Sequence, residues 1–276
     1  MAFIRQFDTG AVNNLDGETM ELYQKLIADV KNGCVFPAIR DGCLDFYYAG
    51  GVLFRLLQSG RFERNDDYSK YGDGTADMDY YEKCKKQNEN RWINDKGDAK
   101  ERQVLDRLNS KTFIKDHGKV VVFDIEVRIN EDNGNQCDMV LLNTDTSQLM
   151  FVEGKLYENS DMYDGANKGV VPPVVLQVCG YTQTIATYKD KIEAEYRKHI
   201  SIANELFGSS FKADASLVLP AKLLVYSSNK SEHSGHATRT SANKLIDEYI
   251  CKRNIMWNFA KEPSLDEMWE YFTASY

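Results

Sequence analysis

No CxxC pair occurs anywhere in the 276 residues. A zinc knuckle and a dithiol redox site both need such spacing, so neither is expected. The six cysteines (Cys34, Cys43, Cys84, Cys137, Cys179, Cys251) are scattered at apolar positions, which reads as reduced, buried thiols. No apolar run approaches the roughly 18 residues of a membrane helix, and the opening MAFIRQFDTG lacks a signal-peptide core. A soluble, cytoplasmic protein is expected. No P-loop pattern is present, so any ATP-driven motion must come from another chain. There is no internal repeat and no excess of positive charge. With 34 Lys and Arg against 42 Asp and Glu, the net charge is −8. That balance argues against coating nucleic acid electrostatically, but leaves room for an enzyme that grips it in a local basic groove.

What is present is enough for a substantial core: 42% of residues are hydrophobic, suiting one large domain or two small ones. GETMELYQKLIADVKNG reads as an amphipathic helix stopped by Gly33. Two β-rich runs flank Gly50-Gly51, a hairpin signal. Residues 64 to 78 are polar and read as a loop, and 79 to 92 as a helix. AKERQVLDRLNSK suggests a short helix with Val104, Leu105 and Leu108 buried. KVVVFDIEVRI is the most strand-like segment: Val121, Phe123, Ile125, Val127 and Ile129 form one apolar face, and Asp124, Glu126 and Arg128 lie on the other. Residues 157 to 173 form a long loop. A long or broken helix over 174 to 200, a strand centred on Leu223 to Tyr226 and two C-terminal helices follow.

The chemistry gathers in two apolar runs, CDMVLL and LMFVEGK, joined by NTDTSQ. A hairpin turning on Asp145 and Thr146 sets Asp138 opposite Glu153, with their Cβ atoms about 4.5–5.5 Å apart on one face. Lys155, two residues on, points to that face as well. Opposed like charges destabilise a sheet unless something compensates, and a hard divalent cation does so with carboxylate oxygens. Both runs are apolar on both faces, so they belong mid-sheet with helices on each side. Such a trio suits phosphodiester hydrolysis, in which a metal activates water, carboxylates hold the metal and a cation steadies developing charge. The Gly154 carbonyl is a candidate further ligand.

These residues resemble the PD-(D/E)XK nuclease superfamily. Asp138 matches its strand aspartate and Glu153-Gly154-Lys155 its E-x-K signature, with Cys137 in place of the preceding proline. Gln177 and Tyr181 match the Q-x-x-x-Y motif of the RecB-like branch, on one helical face at i, i+4. Glu101 is the candidate for the glutamate that the family carries on the helix before its first strand. The resemblance covers about residues 99 to 227. It implies a restriction-endonuclease-like α/β core, a central mixed sheet flanked by helices, over residues 96–276 with the C-terminal helices. Residues 1–95 form a helix, hairpin and helix elaboration packed on that core. It also implies Mg²⁺ (or Mn²⁺), held by Asp138, Glu153, Gly154 and Glu101, with Lys155, Gln177 and Tyr181 serving catalysis. The substrate would be nucleic acid, most readily DNA, in phage or bacterial defence or repair, with a protein partner or a second copy as further options. The four-cysteine pattern of iron–sulfur relatives is absent.

Plainer readings stand beside these. Asp138 and Glu153 as solvent-seeking strand-end charges, or Lys155 as a simple neutraliser, would leave a nuclease-fold module that binds nucleic acid or a protein without hydrolysis. Glu126 faces Asp138 if NEDNG turns about Asp132, and loses that partner if Asn133-Gly134 form a two-residue turn. In the first register it supports the site as an outer acid. Glu101 also reads as an ordinary first-turn glutamate. His233 and His236 read as surface residues. Lys83, Lys85 and Lys86, and the segment from Tyr196 to His199, read as solvated helix faces or backbone contacts to DNA. The loop from Asn229 to Asn243, rich in basic residues, is a candidate phosphate-contacting flap.

Overall fold

A computed structural model describes residues 3–67, 70–72, 76–94, 108, 112–115, 117–129, 136–226, 237–258 and 264–274. Of the predicted helix over 99–111 only Leu108 is described, helical and buried; the rest of it, with Glu101, lies outside the described residues, as do His233 and His236.

The first half builds a β-meander. Helix α1 (Gly17–Lys31) starts on a capping box between Asp16 and Thr19 and ends where Gly33 takes φ 72°. Strands β1 (Phe36–Arg40), β2 (Cys43–Tyr48), β3 (Gly51–Leu57), β4 (Phe62–Asp67) and β5 (Lys70–Gly72) pair antiparallel in chain order. The expected two-stranded hairpin is thus part of a five-stranded sheet, and the polar stretch from residue 64 carries strand. Ladder hydrogen bonds are made by backbone, so a polar sequence can take part in them. β1 holds Pro37, which has no N–H to donate and is tolerated because β1 is an edge strand. The turn between β2 and β3 falls one residue earlier than expected. Ala49 (φ 49°) and Gly50 (φ 69°) are its centre, and Gly51 pairs with Tyr48. Two consecutive positive φ values are the signature of a type I′ turn. Helix α2 (Met78–Asn94) closes over this hairpin, and Asn88 donates to the carbonyls of Tyr48 and Gly51.

The second half is a mixed five-stranded sheet flanked by helices. Strands β6 (Val120–Arg128), β7 (Gln136–Asn143) and β8 (Gln148–Leu156) form an antiparallel meander. Helices α3 (Pro173–Thr187) and α4 (Lys189–Phe207) cross over to β9 (Ser216–Tyr226), which runs parallel to β8. The broken form of the expected long helix is the one adopted, interrupted at Tyr188. Helix α5 (Ala237–Tyr249) leads to β10 (Ile255–Asn258), a strand that the short IMWN run did not announce, parallel to β9. Helix α6 (Leu265–Thr273) is capped by Ser264 and Glu267 and touches both β6 and β10. The order β10-β9-β8-β7-β6 puts β8 and β7 inside the sheet, as their apolar character on both faces demands.

One buried cluster runs through both halves, from Phe3 to Phe272. Their junction is polar as well as apolar. Asp124, with 0% exposure, accepts from Arg5 Nε (2.7 Å), Arg40 Nη1 (2.6 Å) and Tyr196 OH (3.1 Å). Burial alone would raise its pKa, but the two guanidiniums outweigh burial and hold it well below the usual carboxylate range. The expected alternation along β6 fails here. A bulge between Val122 and Asp124 leaves Phe123 as the extra residue, and Phe123 and Asp124 both meet Tyr196 on α4. Cysteine burial also departs from expectation: Cys43, Cys84 and Cys137 are buried, but Cys34, Cys179 and Cys251 are exposed, and all six are free thiols.

Candidate functional site

The β7–β8 turn sets the register predicted for it. Met139 faces Val152, Val140 faces Phe151 and Leu142 faces Leu149. One step beyond Met139 and Val152 come Asp138 and Glu153. On the other side of β7, Ile125 faces Met139 and Val127 faces Cys137, which brackets Glu126 opposite Asp138. From Asp124 onward the β6–β7 pairs sum to 264, the register expected for a turn about Asp132, while residues 130–135 themselves lie outside the described residues. Carried one step past the paired residues, the β6–β7 and β7–β8 registers bring Glu126, Asp138 and Glu153 to matching positions on three neighbouring strands.

Within this row the side chains differ. Glu153 is buried at 1% exposure, and Lys155, at 9%, brings its Nζ to 3.0 Å from Glu153 Oε1. Asp138 is half-buried, and its Oδ2 accepts from the Gly154 N–H at 2.7 Å, so the backbone between the two site residues of β8 is tied to the acid of β7. Asp161 was not among the predicted residues. It stands on a short 3-10 turn (Ser160–Met162) capped by Asn159 and anchored by the buried Met162, and its Oδ2 lies 3.7 Å from Lys155 Nζ. The ammonium therefore sits between two carboxylates. Nothing in the local sequence ties Asp161 to Lys155; only the fold of the loop does.

Gln177 and Tyr181 share a face of α3, as their spacing requires. Gln177 Nε2 donates to Tyr181 OH (2.8 Å), and Tyr181 OH donates to the carbonyl of Gln136 (2.6 Å). They thereby fasten α3 to the start of β7, two residues before Asp138. Burial, and then the Glu153 carboxylate, push the Tyr181 pKa up, so its hydroxyl stays protonated and remains a donor. Cys137 behaves likewise. Burial, with Glu153 and Asp138 adding to it, raises its thiol well above the ordinary value, and its Sγ donates to the carbonyl of Val152 at 3.4 Å. Cys137 packs as the small apolar residue expected there, whereas Cys179 on α3 faces solvent.

The donor set can be matched to a metal by its chemistry. Carboxylate and carbonyl oxygens suit a hard cation, and Mg²⁺ binds through one or two carboxylates while keeping several waters. Asp138 and Glu153 meet that need, and the Gly154 backbone unit adjoins them. Among the described residues, no group of three His, Cys, Asp or Glu side chains gathers to hold a metal ion. The donor chemistry of Asp138 and Glu153 would suit a hard cation that keeps most of its waters.

No protein-family model, no curated protein and no solved structure matches this chain. No helix among the described residues is long and apolar enough to cross a membrane.

Proposed function

We propose that this protein is a metal-dependent nuclease of the PD-(D/E)XK type, acting on phosphodiester bonds, most readily in DNA. The observation that carries the reading is the buried Lys155–Glu153 pair on β8, with Nζ 3.0 Å from Oε1, beside Asp138 of β7, whose carboxylate accepts from the intervening Gly154 N–H at 2.7 Å. The order of β6, β7, β8, α3 and β9 also follows the element order that the motif resemblance implies.

In this reading Asp138, Glu153 and the Gly154 carbonyl hold Mg²⁺ or Mn²⁺. When bound, that ion supplies Lewis-acid polarisation of the phosphate and an acidified water. The chain's own groups do the rest. Lys155 orients the nucleophile and offsets negative charge as it develops. Asp161, across from Glu153, keeps the ammonium over the site while substrate is absent. Gln177 and Tyr181 hold the start of β7 in register, so that Asp138 stays opposite Glu153. Burial of Glu153 and Lys155 lowers the local dielectric and strengthens each of these interactions.

A second reading is favoured by one specific feature. Lys155 already lies on Glu153, as it would in a fold that keeps the ion pair without catalysis. That reading is a binding module for nucleic acid or a protein partner.

The two are separated by incubating purified protein with labelled single-stranded DNA, double-stranded DNA and RNA, with Mg²⁺, Mn²⁺ or EDTA, alongside Asp138→Ala and Glu153→Gln. A nuclease cleaves at least one substrate only with metal and loses on the order of a hundredfold or more in rate in either variant. Mn²⁺ should also raise the melting temperature of the wild type and not of Asp138→Ala, with about 2.7 kcal/mol of stabilisation at a hundred times Kd. Binding without cleavage in every condition establishes the module instead.

A further inference from the structure

Glu126 is held in an unusual way. It lies within a strand, yet its φ is 48°, in the left-handed region that a side chain disfavours. Such a backbone persists only where its surroundings over-determine it. Two contacts do this, and both come from the N-terminal sheet. Tyr47 OH donates to Glu126 Oε2 at 3.1 Å. Arg40 Nη2 donates to the carbonyl of Ile125, the residue immediately before, at 2.8 Å, while its Nη1 holds Asp124.

Tyr47 is itself specially placed. The β2–β3 ladder shifts register between Phe46 and Tyr47, and a bulge of this kind re-aims the side chain beside it. The Arg40 guanidinium lies 6.0 Å from the Tyr47 ring centroid, and the ring is 6% exposed, so its rotamer is fixed by packing. Burial pushes its hydroxyl well up, against the opposing pull of Arg40, so it remains a hydrogen-bond donor.

We propose that Tyr47 is a positioning residue for the candidate site: it orients Glu126 at the end of the row that Asp138 and Glu153 continue, and so makes the N-terminal sheet a working part of that site. The inference rests on the cation-site reading above. A hydrogen bond made only to join two sheets would contribute to stability and nothing else. A positioning bond changes how the site takes up a cation, because the Glu126 charge is then aimed and not merely nearby.

The test is a Mn²⁺ titration of the full-length chain followed by melting temperature, with the metal-free melting temperature recorded separately. The variants are Tyr47→Phe, Glu126→Gln, the double variant and Asp138→Ala. Tyr47→Phe should raise the half-saturating Mn²⁺ concentration about three- to tenfold, the size of one typical net hydrogen bond. Glu126→Gln should raise it at least as much. The double variant should match Glu126→Gln, because the hydroxyl acts through that carboxylate. Phenylalanine fills the same space, so the fold is retained. A half-saturation within twofold of wild type in Tyr47→Phe, or additive effects in the double variant, overturns the positioning role even if metal-free stability falls. Loss of the response in Asp138→Ala shows that the cation site itself stands in either case. If wild type shows no response, or Asp138→Ala responds as wild type does, the cation reading falls first and takes the positioning role with it.

Discussion

Asp124 and Glu153 lie two strands apart in the same sheet and are equally sealed from solvent, yet their surroundings differ in kind. Asp124 is claimed by Arg5, Arg40 and Tyr196, drawn from the N-terminal segment, β1 and α4, and by the N–H of Ile125. Every one of those bonds joins the acid to the frame. Glu153 shares its lysine with the half-exposed Asp161, and its neighbour Asp138 is half-exposed as well, so the cluster opens at one edge. A buried carboxylate is thus not a functional signal by itself. One whose cation is shared with a solvent-facing loop is better suited to exchange partners with a ligand.

The largest effect that would break this comparison is expected at Asp124. Replacing it by Asn leaves two guanidiniums buried beside a neutral group, and removing one member of such a network costs about 3–5 kcal/mol. Chemical denaturation should show a lower midpoint with an unchanged slope, and cleavage per folded molecule should not change. A stability close to wild type would mean that Asp124 is not the joint between the halves.

Next comes Lys155. Lys155→Met strands Glu153 without its 3.0 Å partner and should cost about 3 kcal/mol, the low end of the same range because the ammonium keeps some exposure. Glu153→Gln should cost far less while abolishing any metal response. If both variants are equally unstable, the pair belongs to the frame as Asp124 does.

The smallest effect is pH-dependent and sits beside Asp124. His199 is buried with its ring 4.4 Å from that of Phe123, and burial drives its pKa down to about 3, although Asp124 pulls the other way. An unfolded histidine titrates near 6.5, so below that pH the unfolded chain binds a proton that the fold refuses. Stability contributed by the neutral ring is present above about 6.5 and falls as pH drops toward 3. His199→Leu should remove this dependence, leaving the variant about 2 kcal/mol less sensitive than wild type between pH 7 and 5. Identical pH profiles for the two proteins would show that His199 does not titrate in this window.

Much of the site could be read along the chain because it depends on short separations. The Asp138–Glu153 register follows from one tight turn and the two-residue period of a strand, and Gln177 meets Tyr181 through the pitch of one helix. Glu126 was legible in part: the register could be written down in two versions, and from Asp124 onward the β6–β7 pairing adopts the one whose pairs sum to 264. Other features were hidden for physical reasons. Polar β4 and edge strand β1 with its proline carry too little periodicity to stand out. The bulge at Phe123 breaks the alternation that KVVVFDIEVRI displays so cleanly. The turn looked like Gly50-Gly51 because two glycines accept positive φ without cost, yet the strand pairing places it at Ala49-Gly50, where Ala49 takes φ 49°.

What the amino-acid order determined unaided is therefore local: the register of the β7–β8 hairpin that carries two acids and a lysine, and the shared helical face of Gln177 and Tyr181. Those relations are imposed by repeat geometry over a few residues. Only the tertiary structure decided that Asp124 is a joint, that Asp161 reaches Lys155, and that Tyr47 grips Glu126. The Arg5–Asp124 and Tyr47–Glu126 bonds span 119 and 79 residues, and contacts so distant in sequence depend on how whole segments pack.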